Sequence, residues 1–146
     1  MNSNISGGQE LFAMKGRLLI VDDEPSLLKC FAAFLEAEDF EVQTVCSAAS
    51  AISALDSGEF DLVITDMAME TQTAGYEVVR AAQRQSYEPE VVIFTSLYIP
   101  ETEWKKRGVK ELFIKGQATL TTVSNAINRI FDERTRRRVL LPTGTI

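Results

Sequence analysis

Three carboxylates, one hydroxyl group and one amine stand at or just after the ends of short apolar runs in this sequence. They belong to Asp22 and Asp23 after the first run, Asp66 after the third, Thr95 at the end of the fourth and Lys115 after the fifth. Two unit negative charges about 4 Å apart repel each other by about 4 kcal/mol at an effective dielectric constant near 20. Carboxylates that meet in one place therefore hold protons or bind a cation. Oxygen ligands of this kind suit Mg²⁺ or Mn²⁺ better than zinc.

The apolar runs have the composition of buried β-strands. Leu62–Thr65 is apolar or β-branched throughout, as expected of a parallel strand that is covered on both faces. Four other runs are mainly apolar or β-branched: Arg17–Val21, Glu41–Cys46, Val91–Thr95 and Leu112–Ile114. The segments between them carry apolar residues at helical spacing. The repeated strand–helix order predicts an α/β fold, a doubly wound five-stranded parallel sheet with helices on both faces.

In such a sheet the carboxyl ends of all strands lie at one edge, where open α/β folds bind their ligands. We therefore expect the five polar residues to converge there. A metal ion, the amine of Lys115 and the hydroxyl of Thr95 would together hold three phosphoryl oxygens, leaving one carboxylate oxygen as a nucleophile. The chain has no histidine, which excludes imidazole ligands, histidine general bases and Ser-His-Asp triads.

The composition predicts a single globular domain. The 146 residues are 45% hydrophobic and 25% charged, which is enough to bury a core. Residues 1–128 hold 10 basic and 19 acidic side chains, and this negative balance argues against nonspecific nucleic-acid binding. Neither a membrane span nor a signal peptide is predicted. We expect a cytoplasmic protein in which Cys30 and Cys46 are buried structural thiols.

Four short motifs, in this order and at this spacing, resemble the receiver domain of two-component response regulators. They are Leu-Leu-Ile-Val-Asp-Asp-Glu-Pro at 18–25, Asp-Leu-Val-Ile-Thr-Asp at 61–66, Phe-Thr-Ser at 94–96 and Phe-Ile-Lys at 113–115. The resemblance covers about Arg17 to Phe131 and implies the strand order 2-1-3-4-5. It divides the chain into a flexible leader at 1–15, a receiver domain at 16–133 and a basic tail at 134–146.

The resemblance also implies a role for each site residue. Asp66 matches the aspartate that takes a phosphoryl group from a sensor histidine kinase or a histidine phosphotransfer protein. Thr95 matches the hydroxyl residue that moves onto the phosphoryl group, and Lys115 matches the lysine that pairs with it. A domain of this kind catalyses its own phosphorylation and dephosphorylation and turns over no metabolite. A downstream target protein of unknown identity, or a second copy of the chain, would then respond to the modification.

The implied metal site uses Asp66 and three further positions. Asp23 matches the direct ligand of the acidic pair, and Asp22 matches the one that often acts through water. The backbone carbonyl of Ala68 matches the third protein ligand, and the implied cofactor is Mg²⁺ or Mn²⁺. Ala68 and Leu97 occupy positions that tune hydrolysis in the family, and neither side chain can position a water. We therefore expect slow self-dephosphorylation.

The sequence departs from the family pattern in three places. Met69-Glu70 stands where the family usually has Met-Pro, and Gly75 comes one residue later than the family glycine. Gly116 replaces the proline that usually follows the lysine through a cis bond. Because a cis bond without proline costs about 2.5–4 kcal/mol, a trans Lys115–Gly116 peptide is predicted. Leu112 stands where the family often has Tyr or Phe, so the route by which a signal leaves the site is left open.

Other functions compete with a phosphoacceptor receiver. A pseudo-receiver would keep the fold and act as an interaction module without phosphorylation, as the three departures suggest. A flavin or nucleotide site would need phosphate-binding amides at the first strand–helix turn, where Asp22-Asp23-Glu24 repels phosphate. A haloacid-dehalogenase-type phosphatase would need a second aspartate at the position of Ala68. The sequence therefore favours the receiver.

The end of the sequence is rich in arginine, with four in the five residues from Arg134 to Arg138. We predict that they form the solvated basic face of an extended final helix. Contact with a partner or with nucleic acid is the alternative. Beyond Leu140 the residues present are too few to form a DNA-binding domain, so we expect either a stand-alone receiver or the receiver of a longer regulator.

Overall fold

The computed structural model of the chain describes residues 14–140, in which strands and helices alternate. The strands are β1 (Gly16–Val21), β2 (Phe40–Val45), β3 (Leu62–Thr65), β4 (Glu90–Thr95) and β5 (Glu111–Ile114). The helices are α1 (Pro25–Glu36), α2 (Ala48–Ser57), α3 (Ala74–Gln83), α4 (Glu101–Lys106) and α5 (Leu120–Leu140). Nearly all of the predicted leader, and the end of the predicted tail, lie outside the described residues.

The five strands form one parallel sheet in the order β2-β1-β3-β4-β5. Val21 pairs with Thr65, and Thr95 pairs with Ile114. Thr65 pairs with Ile93, so β4 and β5 extend two residues beyond the ends of β1 and β3 at the same edge. The predicted fold class and strand order are confirmed. The register places the residues that follow β1, β3, β4 and β5 at one edge of the sheet.

Two apolar cores cover the sheet, one on each face, because successive side chains of a strand point to opposite sides. In β1, Leu18 and Ile20 pack in the core that contains α1 and α5, whereas Leu19 and Val21 pack in the core under α2, α3 and α4. The central strands β3 and β4 are buried at every position. Burial on both faces explains why their sequences lack polar alternation.

The last helix extends as the sequence predicted, with Arg136, Arg137 and Arg138 exposed, but Arg134 is not part of a solvated face. α5 runs through the predicted boundary at residue 133 as far as Leu140, and Arg134 is only 5% exposed. Arg134 lies one turn after Ile130 and Phe131, on the side of α5 that faces the core. Its guanidinium group contacts the buried carboxylate of Glu90 at 3.0 Å. Arg134 is therefore part of the folded domain.

The prediction that both cysteines are buried was wrong. Cys30 and Cys46 are free thiols on the exposed surface. Cys30 lies on the solvent side of α1, beside the apolar stripe that contains Leu28 and Phe31. Cys46 follows β2, which is an edge strand with only one neighbour in the sheet. Within residues 14–140, no helix is both long enough and apolar enough to cross a bilayer.

Candidate phosphoryl-transfer and metal site

Three carboxylates meet at the carboxyl edge of the sheet. Asp22 and Asp23 follow β1, and Asp66 follows the neighbouring strand β3. One carboxylate oxygen from each lies within 4.8 Å of the others. Asp22 and Asp66 are buried, whereas Asp23 is exposed to solvent. The convergence that the sequence predicted is present, and it leaves one side of the cluster open.

Lys115 lies against two of these carboxylates from the end of β5. Its Nζ is 2.6 Å from Oδ2 of Asp22 and 2.9 Å from Oδ2 of Asp66. Burial alone would lower the pKa of the ammonium group, but the hydrogen bonds to Asp22 and Asp66 together raise it. Lys115 therefore carries its charge at neutral pH and offsets part of the repulsion between the two aspartates.

Asp22 is the most buried member of the cluster. Burial is the largest influence and raises the pKa of its carboxyl group. With the nearby charge of Asp66, it outweighs the lowering of the pKa by the hydrogen bond and charge of Lys115. The remaining oxygen, Oδ1, accepts a hydrogen bond of 3.0 Å from the backbone N–H of Glu24. This contact holds the carboxylate at the turn into α1.

Asp66 has both carboxylate oxygens engaged. Oδ1 accepts a hydrogen bond of 2.7 Å from the backbone N–H of Met67, and Oδ2 contacts Lys115. Its own N–H donates to the carbonyl of Val21 at 2.9 Å, which continues the sheet pairing past the end of β3. The position of the carboxylate is thus determined by the backbone and by the lysine.

Thr95 is fully buried at the last position of β4. Its carbonyl accepts a hydrogen bond of 2.8 Å from the N–H of Lys115, which joins the two residues through the backbone. Its hydroxyl accepts a hydrogen bond of 3.3 Å from the N–H of Leu97. Thr95 lies at the carboxyl edge of the sheet, as do the three aspartates, but within residues 14–140 its hydroxyl makes no hydrogen bond to a carboxylate.

The loop after Asp66 is held against the first turn of α3 through Gly75. The N–H of Gly75 donates to the carbonyl of Met67 at 2.8 Å. A Cβ atom at residue 75 would overlap the carbonyl oxygen of Asp66 and lie 2.7 Å from Cα of Met67. This close approach requires glycine, so Gly75 has a structural reason to be where it is. Ala68, the predicted source of a carbonyl ligand, lies in this loop and is half-buried.

Glu70 takes part in a contact that the sequence did not predict. Its carboxylate accepts hydrogen bonds from the backbone N–H groups of Ala48, at 3.0 Å, and Ala49, at 3.2 Å. These amides belong to the first turn of α2, where N–H groups lack partners within the helix. The hydrogen bond from Ala48 lowers the pKa of Glu70 below its ordinary value, with a smaller contribution from Ala49. A side chain 22 residues away leaves no local signal of this contact in the sequence.

The structure also places the other two departures from the family pattern. The Lys115–Gly116 peptide is trans, as predicted, and Gly116 has a φ of 85° that suits glycine. Leu112 packs against the core under α2, α3 and α4, whereas Phe113 packs against the opposite core. The two residues therefore point to opposite sides of β5, as expected of neighbours on a strand.

The donor set fits a hard divalent cation. Three carboxylates within reach of one another offer only oxygen atoms, and one of them is exposed so that water can complete the coordination. Among the described residues, no hydrogen-bond donor contacts the carbonyl oxygen of Ala68, which leaves that oxygen available as a further ligand. Lys115 neutralises only part of the negative charge, so a cation would still be attracted.

Comparison with known proteins identifies similar sequences. The family model described as the response regulator receiver domain matches residues 18–110. The heme response regulator HssR of Staphylococcus saprophyticus is 29% identical over 122 residues, which cover 75% of this chain and 54% of HssR. The transcriptional regulatory protein TcrA of Mycobacterium tuberculosis is 34% identical over 80 residues, which cover 55% of this chain and 31% of TcrA. The chain thus spans about half, or less, of the length of these relatives.

Solved structures share the fold. The chemotaxis response regulator CheY4 of Vibrio cholerae superposes with a TM-score of 0.71 at 25% identity. The superposition covers 81% of this chain and 99% of CheY4. The predicted family and the CheY-like fold are therefore confirmed by sequence and by structure.

Proposed function

This chain belongs to the response regulator receiver domain family, and we propose that it accepts a phosphoryl group on Asp66 in a reaction that requires Mg²⁺. The convergence of Asp22, Asp23 and Asp66, with Lys115 in contact with two of them, is the observation that carries this proposal. A pure interaction module would gain nothing from gathering three carboxylates, because their repulsion costs stability.

In the proposed reaction, a carboxylate oxygen of Asp66 attacks the phosphorus atom of a phosphohistidine or of a small acyl phosphate. A phosphorus–oxygen bond forms to Asp66 while the bond to the donor nitrogen or oxygen breaks, and the donor departs with the electron pair. The contacts with Met67 and Lys115 hold the carboxylate in a fixed orientation, which lowers the entropic cost of reaching the transition state.

The ligands proposed for the cation are the side chains of Asp22, Asp23 and Asp66 and the carbonyl of Ala68. When bound, the cation would supply positive charge that stabilises the phosphoryl oxygens during transfer. Lys115 would stabilise the same oxygens from the other side, because its ammonium group already lies beside Asp66. The hydroxyl of Thr95 would donate a hydrogen bond to a phosphoryl oxygen after a small movement of the chain that follows β4.

The proposed partners are a histidine kinase or histidine phosphotransfer protein upstream and a protein target downstream. Phosphorylation would change the binding of the target, since it adds negative charge and three strong hydrogen-bond acceptors to this edge. The domain would catalyse its own phosphorylation and dephosphorylation and no other reaction. The two free, exposed thiols support a reducing compartment such as the cytoplasm.

Incubation with acetyl phosphate and Mg²⁺, followed by intact-mass spectrometry, tests the proposal. We expect one phosphoryl adduct on the chain without substitutions, and no adduct with EDTA or in Asp66→Asn. Asp56→Asn is the matched control, because Asp56 is exposed on α2, and this variant should be modified normally. If the chain without substitutions gained no adduct, the pseudo-receiver would be supported instead. An adduct that persists in Asp66→Asn would show that another residue accepts the phosphoryl group.

A further inference from the structure

The loop between Asp66 and α3 is attached to the rest of the domain at two points, one on each side of Ala68. On one side, the carbonyl of Met67 accepts the N–H of Gly75 at 2.8 Å. On the other side, the carboxylate of Glu70 accepts the N–H groups of Ala48 and Ala49. The first attachment joins the loop to the first turn of α3, which follows it, whereas the second joins the loop to α2.

We propose that Glu70 is a positioning residue of the metal site: its contact with the N-terminus of α2 holds the loop that carries Ala68, whose carbonyl is the proposed further ligand. This inference rests on the proposed function, because it concerns the same cation. Glu70 itself touches the helix and not the reacting atoms.

The chemistry of residue 70 explains why such a contact is needed. Where the family pattern has proline, the ring fixes φ and restricts the loop by covalent means. Glutamate imposes no such restriction, and the loop is also one residue longer here. Two hydrogen bonds from N–H groups to a carboxylate, aided by the positive end of the α2 dipole, supply the restraint from outside the loop. A tertiary contact thus takes the place of a covalent constraint.

The contact also couples the metal site to α2. If binding of the cation orders the loop and the loop orders the first turn of α2, each event favours the other by the same free energy. Mg²⁺ should therefore slow hydrogen exchange at the amides of Ala48 and Ala49, although neither residue is a ligand. If the contact served only to stabilise the fold, Mg²⁺ would slow exchange at Ala48 and Ala49 no more than at amides elsewhere that exchange through global unfolding.

The experiment compares Mg²⁺ binding and amide exchange by NMR in the unmodified chain, Glu70→Ala, Glu70→Gln and Glu77→Ala. We expect the dissociation constant for Mg²⁺ to rise about tenfold in Glu70→Ala, the lower end of the effect seen when a supporting contact of a metal ligand is lost. Glu70→Gln keeps one acceptor oxygen, so its dissociation constant for Mg²⁺ should lie between those of the chain without substitutions and Glu70→Ala. The protection of Ala48 and Ala49 by Mg²⁺ should disappear in Glu70→Ala.

Glu77→Ala is the control for charge. Glu77 is exposed in the first turn of α3 and makes no hydrogen bond or ion pair within residues 14–140, so its removal changes the net charge equally without releasing the loop. An equal loss of affinity in Glu77→Ala would overturn the inference, as would unchanged affinity in both Glu70 variants. If the unmodified chain bound no Mg²⁺, the proposed function itself would fail. Normal binding in Glu70→Ala would refute only the role of Glu70.

Discussion

The ammonium group of Lys115 lies 2.9 Å from Oδ2 of Asp66 and 2.6 Å from Oδ2 of Asp22. It thus occupies the same carboxylates that a divalent cation would use. Lysine and metal therefore compete for negative charge while they cooperate in holding a phosphoryl group. This dual position leads to opposite expectations for metal binding and for phosphorylation.

We expect Lys115→Met to bind Mg²⁺ more tightly and to be phosphorylated more slowly. Removal of a positive charge from the carboxylates should tighten binding by about tenfold, or about 1.4 kcal/mol. Loss of the charge beside the phosphoryl oxygens should slow transfer by a larger factor. Titration calorimetry and the rate of adduct formation measure the two effects, with exposed Lys106→Met as the control for net charge. Parallel loss of both properties would contradict this account of Lys115.

Gly75→Ala should distort the loop that carries Ala68. The new methyl group would meet the carbonyl oxygen of Asp66 and lie 2.7 Å from Cα of Met67, and overpacking of this kind costs about 1–3 kcal/mol. Urea unfolding measures the loss. In Gly58→Ala the atom nearest to the new methyl group is the flexible end of Arg17, at 3.2 Å. The free energy of unfolding of this control should therefore fall less. Equal stability of the two variants would show that the loop can move away from the methyl group.

Arg134→Met should destabilise the domain by about 3 kcal/mol, the lower end of the cost of breaking a buried ion pair. Glu90 would keep its ion pair with Arg137, at 2.8 Å, which limits the loss of stability. The variant also loses the hydrogen bonds from Arg134 to the carbonyls of Glu88 and Tyr87. Exposed Arg136→Met should change the free energy of unfolding by about 0.5 kcal/mol at most. Similar losses in both variants would mean that Arg134 acts only as a surface charge.

Tyr76→Phe should loosen the attachment of α4 to α3. The hydroxyl of Tyr76 donates to the carboxylate of Glu103, and the guanidinium of Arg107 lies 3.6 Å from the centre of its ring. Because Glu103 is exposed, we expect a loss of about 1 kcal/mol at neutral pH. Urea unfolding measures it, with exposed Tyr98→Phe as the control that should lose nothing.

The same contact gives a dependence on pH. Burial, and then the hydrogen bond to Glu103, raise the pKa of Tyr76 above its ordinary value of 10.0. A group whose pKa is raised by folding stabilises the protein fully below its unfolded pKa and loses that effect as pH rises through its folded pKa. The difference in unfolding free energy between the unmodified chain and Tyr76→Phe should therefore shrink above pH 10. A difference that stays constant would contradict the contact.

The parts of the fold that local patterns determine could be predicted from the sequence. Leu62–Thr65 was predicted with the observed bounds, because a continuous apolar run between turn residues has few alternatives. The convergence of Asp22, Asp66 and Lys115 followed from parallel topology, since each residue comes directly after a strand. The candidate site could therefore be assembled from strand ends alone.

The parts that depend on tertiary contacts could not be predicted. Arginine is seldom buried, so the sequence places Arg134 in solvent. Its burial depends on the carboxylate of Glu90 at the start of β4 and on the carbonyls of Tyr87 and Glu88. The sequence marks Glu70 only as a departure from a family pattern, because its partners on α2 are distant in sequence. The exposure of Cys30 depends on how α1 is rotated against the sheet.

The most direct test of the central claim is to locate the phosphoryl group. The chain is phosphorylated with acetyl phosphate and Mg²⁺, treated with borohydride to reduce the acyl phosphate, and digested for peptide mass spectrometry. We predict that reduction converts Asp66, and no other residue, to homoserine. Homoserine at Asp22 or Asp23, or its absence from the whole chain, would contradict the assignment of Asp66 as the phosphoacceptor.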